Sequence, residues 1–416
     1  MTTTATFPRV RAHIAASWQK TVRTSPADPT HLPVPFPYTV PSIEGKFDEL
    51  YYWDIYFTNR GLLLDGRLDL ALNNADNLLH LVDTHGFVPN GTRTAYLTRS
   101  QLPMLMPTVL DLFRRTGDRG WLRRAARTLR REYETFTTGA HLAGDTGLSR
   151  CFDRETDREV LLSTYPGYAQ RLGLPADLPE DERIERASHS RAECACWDYT
   201  PRFGDRCLDY APVDLNSALH GYETGFAEIA GLLGDSPAAE WTDRAARRRA
   251  ALDRFCWSEE RGVYLDYDFV NRRPSAVASL ATFQPLWNRL ASAAQAARVR
   301  ANLALFERPF GLAACEPAEV GGRTYQWGFP NGWAPLHLIA VEGLRHYGFA
   351  ADADRIAANY LAAVAAIFER TGKIWEKHNV VDGSLRTASE YGTPELLGWT
   401  AGVFVALAES LRPRGG

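Results

Sequence analysis

The chain has 416 residues, 45% hydrophobic and 23% charged, and its 47 Lys and Arg against 50 Asp and Glu leave a formal charge of −3. This is the composition of a globular chain long enough to bury a core without disulfides or metals, which excludes disorder and collagen-like structure as the main state. No run of 18 apolar residues offers a transmembrane helix, and the slightly acidic balance argues against nucleic acid as a partner.

Helical periodicity dominates from the start of the chain. It predicts helices over 9–20, 54–64, 67–84, 102–116 and 119–136. Further helices are expected over 214–233, 237–256, 275–289, 292–307, 332–347, 350–370 and 395–411. Leu122, Ala125, Leu129, Tyr133 and Phe136 share one face of the fifth. Ile356, Tyr360, Val364, Ile367 and Phe368 share a face that Thr371-Gly372 ends. Ser236-Pro237 reads as a helix start. The Arg-rich runs at 123–131 and 244–249 read as solvated helix faces. Connections as short as Thr116-Gly117-Asp118 predict antiparallel neighbours. Long helices in consecutive pairs, with few strand signals, predict an all-α toroid. No linker divides the chain, so one domain over 1–416 is expected, with an N-terminal arm at about 1–40. The irregular stretches 24–53, 86–101, 139–213, 308–331 and 372–394 are rich in Pro, Gly, Trp and Asp, and in a toroid such loops gather at one end and build the site.

The cysteines are Cys151, Cys194, Cys196, Cys207, Cys256 and Cys315. No zinc-finger spacing accompanies them, so reduced thiols are expected rather than a metal or disulfide framework. The opening residues carry no charged region followed by an apolar stretch, so no secretory signal is expected. Both readings predict a cytoplasmic protein.

Polar and aromatic residues concentrate in the irregular stretches. Gly45 to Phe57 sets Trp53, Tyr51 and Phe47 beside Asp54, and rings that stack on a sugar face next to carboxylates that bind its hydroxyls suit a sugar pocket. A loop that buries aromatics, with Asp54 capping the next helix, would give the same composition. Val88 to Gln101 supplies Asn90, Arg93, Arg99 and Gln101 as donors and acceptors, on what is otherwise a surface turn at Asn90-Gly91. Asp198, between Trp197 and Tyr199, can be desolvated, which raises a carboxyl pKa toward proton donation at neutral pH. Glu376 beside Lys377 would stay ionised and serve as a base, with Glu390-Tyr391 fourteen residues on. Two carboxylates of opposite role are the minimum equipment of a glycosidase.

Pro41 to Tyr56 resembles the first signature of the trehalases, glycoside hydrolase family 37, and Tyr325 to Pro335 resembles their second. Val88 to Gln101, Pro212 to Asn216 and Gly398 to Val403 match in family order, so the resemblance runs from about residue 14 to 407. A more distant similarity is to family 63, which includes hydrolases of mannosylglycerate and glucosylglycerate. The resemblance implies an (α/α)6 toroid with long active-site loops at one end. It implies an inverting mechanism on an α-glucoside, with trehalose as first substrate and no metal or organic cofactor. Asp198 would be the general acid and Glu376 the general base, their carboxyl groups about 6.5–9.5 Å apart. Lys46, Phe47, Trp53, Asp54, Asn90, Arg99, Gln101, Trp197, Gln326, Trp327 and Glu390 would bind substrate.

The chain also departs from the family pattern. Lys46 replaces an arginine and loses its planar fork, Gly328 stands where the second signature has aspartate, and Cys196 replaces the glycine before Trp197-Asp198. The Arg-Pro-Glu motif that contacts the second sugar has no counterpart between Ser163 and Ser190. These departures leave open another small α-glucoside or pseudo-sugar as substrate, or a sugar-binding protein that no longer hydrolyses.

Overall fold

The computed structural model describes residues 6–44, 47–234, 238–387, 392–395 and 398–412. The helix start expected at Ser236-Pro237 lies outside the described residues. Helices α1 (Thr6–Ser17), α2 (Tyr52–Leu64), α3 (Leu68–His85), α4 (Leu105–Thr116) and α5 (Arg119–Thr137) come first. Two more, α6 (Arg158–Leu172) and α7 (Glu180–Glu193), fall in a stretch expected to be irregular. Then follow α8 (Val213–Leu233), α9 (Ala238–Phe255), α10 (Gln284–Trp287), α11 (Ala293–Ala301), α12 (Ala334–His346), α13 (Ala350–Thr371) and α14 (Gly398–Ser410).

Six of these close a ring. α2 packs on α4, α4 on α8, α8 on α10, α10 on α12, α12 on α14, and α14 returns to α2. Outside it, α3 and α5 pack on α2, α4 and α8, α9 lies on α8, and α13 and α1 lie on α12 and α14. This is the (α/α)6 toroid. Ring position explains sequence character. α2 and α14 are buried almost all round and apolar almost all round. By contrast α5 buries Trp121, Leu122, Ala125, Leu129, Tyr133 and Phe136 and turns its arginines to solvent, with Asp118 capping its start by accepting from Trp121 N at 2.9 Å. In the second arginine run only Arg248 goes inside, paired to Glu223 at 2.8 Å.

Two devices close the ring. α2 and α14 cross where both lack a side chain: a Cβ on Gly402 would stand 2.0 Å from the Phe57 carbonyl oxygen, and one on Gly61 2.7 Å from Gly402 Cα. Between α2, α4, α5 and α8, the hydroxyls of Tyr52 and Tyr222 donate to Glu132. Both hydroxyls then accept from the first amides of α4, Tyr52 from Met104 N at 2.9 Å and Tyr222 from Met106 N at 3.1 Å. A helix end buried in the core thereby has its orphan donors satisfied.

The helix expected over 275–289 shrinks to a 3-10 turn, Leu280–Phe283, and the four residues of α10. The preceding chain is extended, with Arg273–Pro274 pairing Tyr267–Asp268. The pair α6–α7 was masked in sequence by Pro166, Gly167, Gly173, Pro175 and Pro179. Its buried Leu161, Tyr165, Tyr168 and Leu172 nevertheless keep helical spacing.

Candidate active site

The irregular stretches meet at one cavity of about 160 Å³. Phe47, Trp53, Asp54, Asn90, Arg99, Gln101, Asp198, Gln326, Trp327 and Glu376 line it. Trp197 does not. It is buried behind the wall, its ring 5.5 Å from that of Trp327. Lys46 and Glu390 lie outside the described residues.

The wall begins at the start of α2. The Tyr52 amide donates to the Asn90 carbonyl at 3.1 Å and the Trp53 amide to Gln101 Oε1 at 2.9 Å. Gln101 thus caps a helix as well as facing the cavity. Asp54 sits in the first turn, where the helix dipole favours a negative charge. Its burial, and Glu376 nearby, nevertheless push its carboxyl well above the usual range. Arg99 holds Asp153 at 3.4 Å and lies 5.1 Å from the Tyr96 ring.

Glu376 precedes a short strand, Lys377–Asn379, that pairs antiparallel with Asn331–Trp333. Its amide donates to the Pro394 carbonyl at 3.1 Å. Its carboxylate is 2.5 Å from Lys377 Nζ, and both side chains are buried. The ammonium supplies the charge and hydrogen bond that a buried carboxylate needs. Lys377 Nζ also lies 4.8 Å from the Trp333 ring. Trp327 and Trp333 stack at 3.8 Å and 4°. Trp53 stands 5.7 Å and Trp399 6.2 Å from Trp327, which gives the floor a rigid aromatic core.

Asp198 follows α7 in a loop. No cation stands within ion-pair distance of it among the described residues. Burial comes first in raising its carboxyl, and Glu376 adds to this; the Cys194 thiol, Arg99 and Arg171 work against the rise. Its Oδ1 is buried without a hydrogen-bond partner, as are Trp53 Nε1 and Arg99 Nε on the same cavity. Open polar atoms on a cavity wall suit a ligand rich in hydroxyls. Behind the loop, the Arg202 guanidinium lies 4.2 Å from the Trp197 ring and holds both oxygens of Asp214, at 2.8 and 3.0 Å, and of Asp266, at 2.9 and 2.7 Å.

Sequence reasoning did not nominate Tyr96, Cys194, Cys196, Trp333 or Trp399 for the wall. Trp333 and Trp399 lay in motifs already singled out, so their signal was present. Cys194 had none: it meets Asp198, while the thiols that meet one another are Cys151, Cys196 and Cys207. Gly328 is absent from the wall. A Cβ there would meet Tyr325 Cβ at 3.1 Å and Pro201 Cδ at 3.4 Å.

A family model described as Trehalase matches residues 3–411. A protein named periplasmic trehalase, from Xanthomonas campestris pv. campestris, is 35% identical over 427 residues, spanning 96% of this chain and 72% of the relative. Among solved structures, neutral trehalase from Saccharomyces cerevisiae is similar at a TM-score of 0.79 and 27% identity, over 97% of this chain and 80% of that one. Mannosylglycerate hydrolase of family 63 from Thermus thermophilus, at 0.67 and 19% identity over 96% and 100%, shares the fold. With its (α/α)6 toroid, the protein is a glycoside hydrolase. More particularly, the chain belongs to the trehalase family, and its activity is that of a trehalase-type α-glycoside hydrolase.

One expectation is corrected here. A cytoplasmic location was read from free thiols and the opening residues, but the curated relative is named periplasmic. The thiols were weak evidence for a physical reason. Cys207 and Cys315 are buried and pushed up to about 12, so they stay protonated and unreactive in either compartment.

Proposed function

We propose that the protein cleaves trehalose with inversion, Asp198 acting as general acid and Glu376 as general base. The supporting observation is the contrast between two carboxylates on one cavity, one beside an ammonium and one raised by burial with no cation in contact among the described residues. Asp198, protonated, gives its proton to the glycosidic oxygen as the bond to C1 breaks. Glu376 takes a proton from a water that attacks C1 from the opposite face. Trp53, Phe47 and Trp327 pack on the sugar faces. Asp54, Asn90, Arg99, Gln101 and Gln326 take its hydroxyls, and Lys46 and Glu390 complete the clasp.

Gly328 bears on the choice of substrate. Because a side chain at this position would point at Tyr325 and Pro201, losing the family aspartate removes nothing from the described wall, and this favours trehalose over another glucoside. One domain spanning 1–416 fits the main apolar cluster, whose members run from Val10 to Leu407. The experiment is glucose release from trehalose, maltose and glucosylglycerate by the same preparation. Trehalose cleaved fastest is the expected result, and trehalose left intact by folded protein would overturn the reading.

A further inference from the structure

We propose that Arg171, on the α6–α7 hairpin outside the ring, is a positioning residue that fixes the Asp198-Tyr199 turn and the pH range in which Asp198 works. The proposal rests on Asp198 being the general acid.

The hairpin has its own apolar cluster. Leu161, Tyr165, Tyr168, Ala169, Leu172 and Ala187 gather around Tyr199 and Tyr325 rather than joining the main core. The residue after Asp198 is therefore anchored in the hairpin, while Trp197 before it is anchored in the core. The turn between them is forced: Tyr199 has φ 53°, a left-handed conformation that a tyrosine adopts only when its surroundings hold it there. The holding contacts are visible. Trp327 N donates to the Tyr199 carbonyl at 3.0 Å, and Thr200 N donates to Glu193 Oε1 at 2.8 Å. Arg171 donates to the Tyr199 hydroxyl and places its guanidinium carbon 4.9 Å from that ring.

The same guanidinium acts on Asp198 by its charge. Among the described residues, the charged and titratable groups facing Asp198 are Cys194 and Glu193 at the end of α7, Arg99 from the loop after α3, Arg171 from α6, and Glu376 beside its strand. Arg99 is engaged with buried Asp153, and Arg171 with the Tyr199 hydroxyl. Arg171 is exposed and sits on an inserted element, so its charge can be changed without opening the main core.

The test is the pH profile of kcat/KM on trehalose for the full chain carrying Arg171→Met, Arg171→Lys or Tyr199→Phe. Removing a cation near a carboxyl favours the protonated form, so Arg171→Met should move the alkaline limb upward by about half a unit or more. It should also lower kcat about tenfold, with KM changed less than about threefold, because the turn is no longer held. Arg171→Lys keeps the charge but loses the planar fork; its limb should stay in place while kcat recovers only in part. Tyr199→Phe should cost kcat about threefold with the limb unmoved. An unmoved limb in Arg171→Met would overturn the proposal, whether or not kcat falls, since a merely structural hairpin would lower activity at every pH alike. Full activity of Asp198→Asn would instead overturn the assignment of the acid.

Discussion

Asp198 and Glu376 face one cavity, yet the two sides of that cavity are built differently. Glu376 sits on the ring side, where a strand pair and a stacked tryptophan floor fix its place and Lys377 sets an ammonium beside it. Asp198 sits on a loop clamped between core and hairpin, with Trp197 against Arg202 on one side and left-handed Tyr199 on the other. The proposed division of two chemically similar groups into donor and acceptor of protons rests on that difference. A counter-charge stands beside one, and the other is buried with no contacting cation among the described residues.

The largest effect should come from removing either carboxyl. Asp198→Asn and Glu376→Gln should each lower kcat on trehalose by about 10²–10⁴-fold, measured by glucose release, with the melting temperature little changed for Asp198→Asn and lowered for Glu376→Gln, which leaves the buried Lys377 ammonium without its carboxylate. Equal losses would mark both sides as necessary, and an active Asp198→Asn would dissolve the contrast. Next are the buried ion pairs behind each side. Lys377→Met strands Glu376, and Arg202→Met strands Asp214 and Asp266, so each should cost about 3–5 kcal/mol in denaturant unfolding.

The pH dependence sharpens the contrast further. The Asp198 carboxyl is raised, so its protonated form persists above the pH at which an exposed aspartic acid ionises, and is lost as pH climbs through the raised value. The alkaline limb of kcat/KM should therefore lie above the ordinary carboxylate range, and a limb within that range would remove the donor role. Smaller effects test the neighbours. Cys194 lines the cavity beside Asp198, so iodoacetamide should inactivate the enzyme about tenfold, glucose should protect it, and Cys194→Ser should resist, as followed by residual activity. Gly328→Asp should change activity less than about twofold and cost about 1 kcal/mol, because the new side chain crowds Tyr325 rather than entering the cavity.

Much of this was legible in sequence. Most ring helices were legible as long apolar stretches, because an inner helix must bury nearly every face, as α2 and α14 do, whereas the span expected for α10 shrinks to four residues. The carboxylate pair was legible through its neighbours, Trp197 and Lys377. Several features were not. The α6–α7 hairpin carried its period under prolines and glycines that normally mark loops. The role of Gln101 as cap to α2 depends on a loop returning to a helix 48 residues earlier in the chain. Trp197 stands next to Asp198, which faces the cavity, yet its ring turns back toward Arg202. Which cysteines meet is a matter of packing: Cys151 joins Cys196 and Cys207 from a distant loop, while Cys194 turns toward Asp198.

The central claim is that Asp198 and Glu376 work from opposite faces of the bond. Proton NMR of purified protein with trehalose, recorded from the first minutes, tests it most directly. The account predicts one β-glucose and one α-glucose per trehalose before mutarotation evens them out. Two equivalents of α-glucose, released with retention, would contradict it.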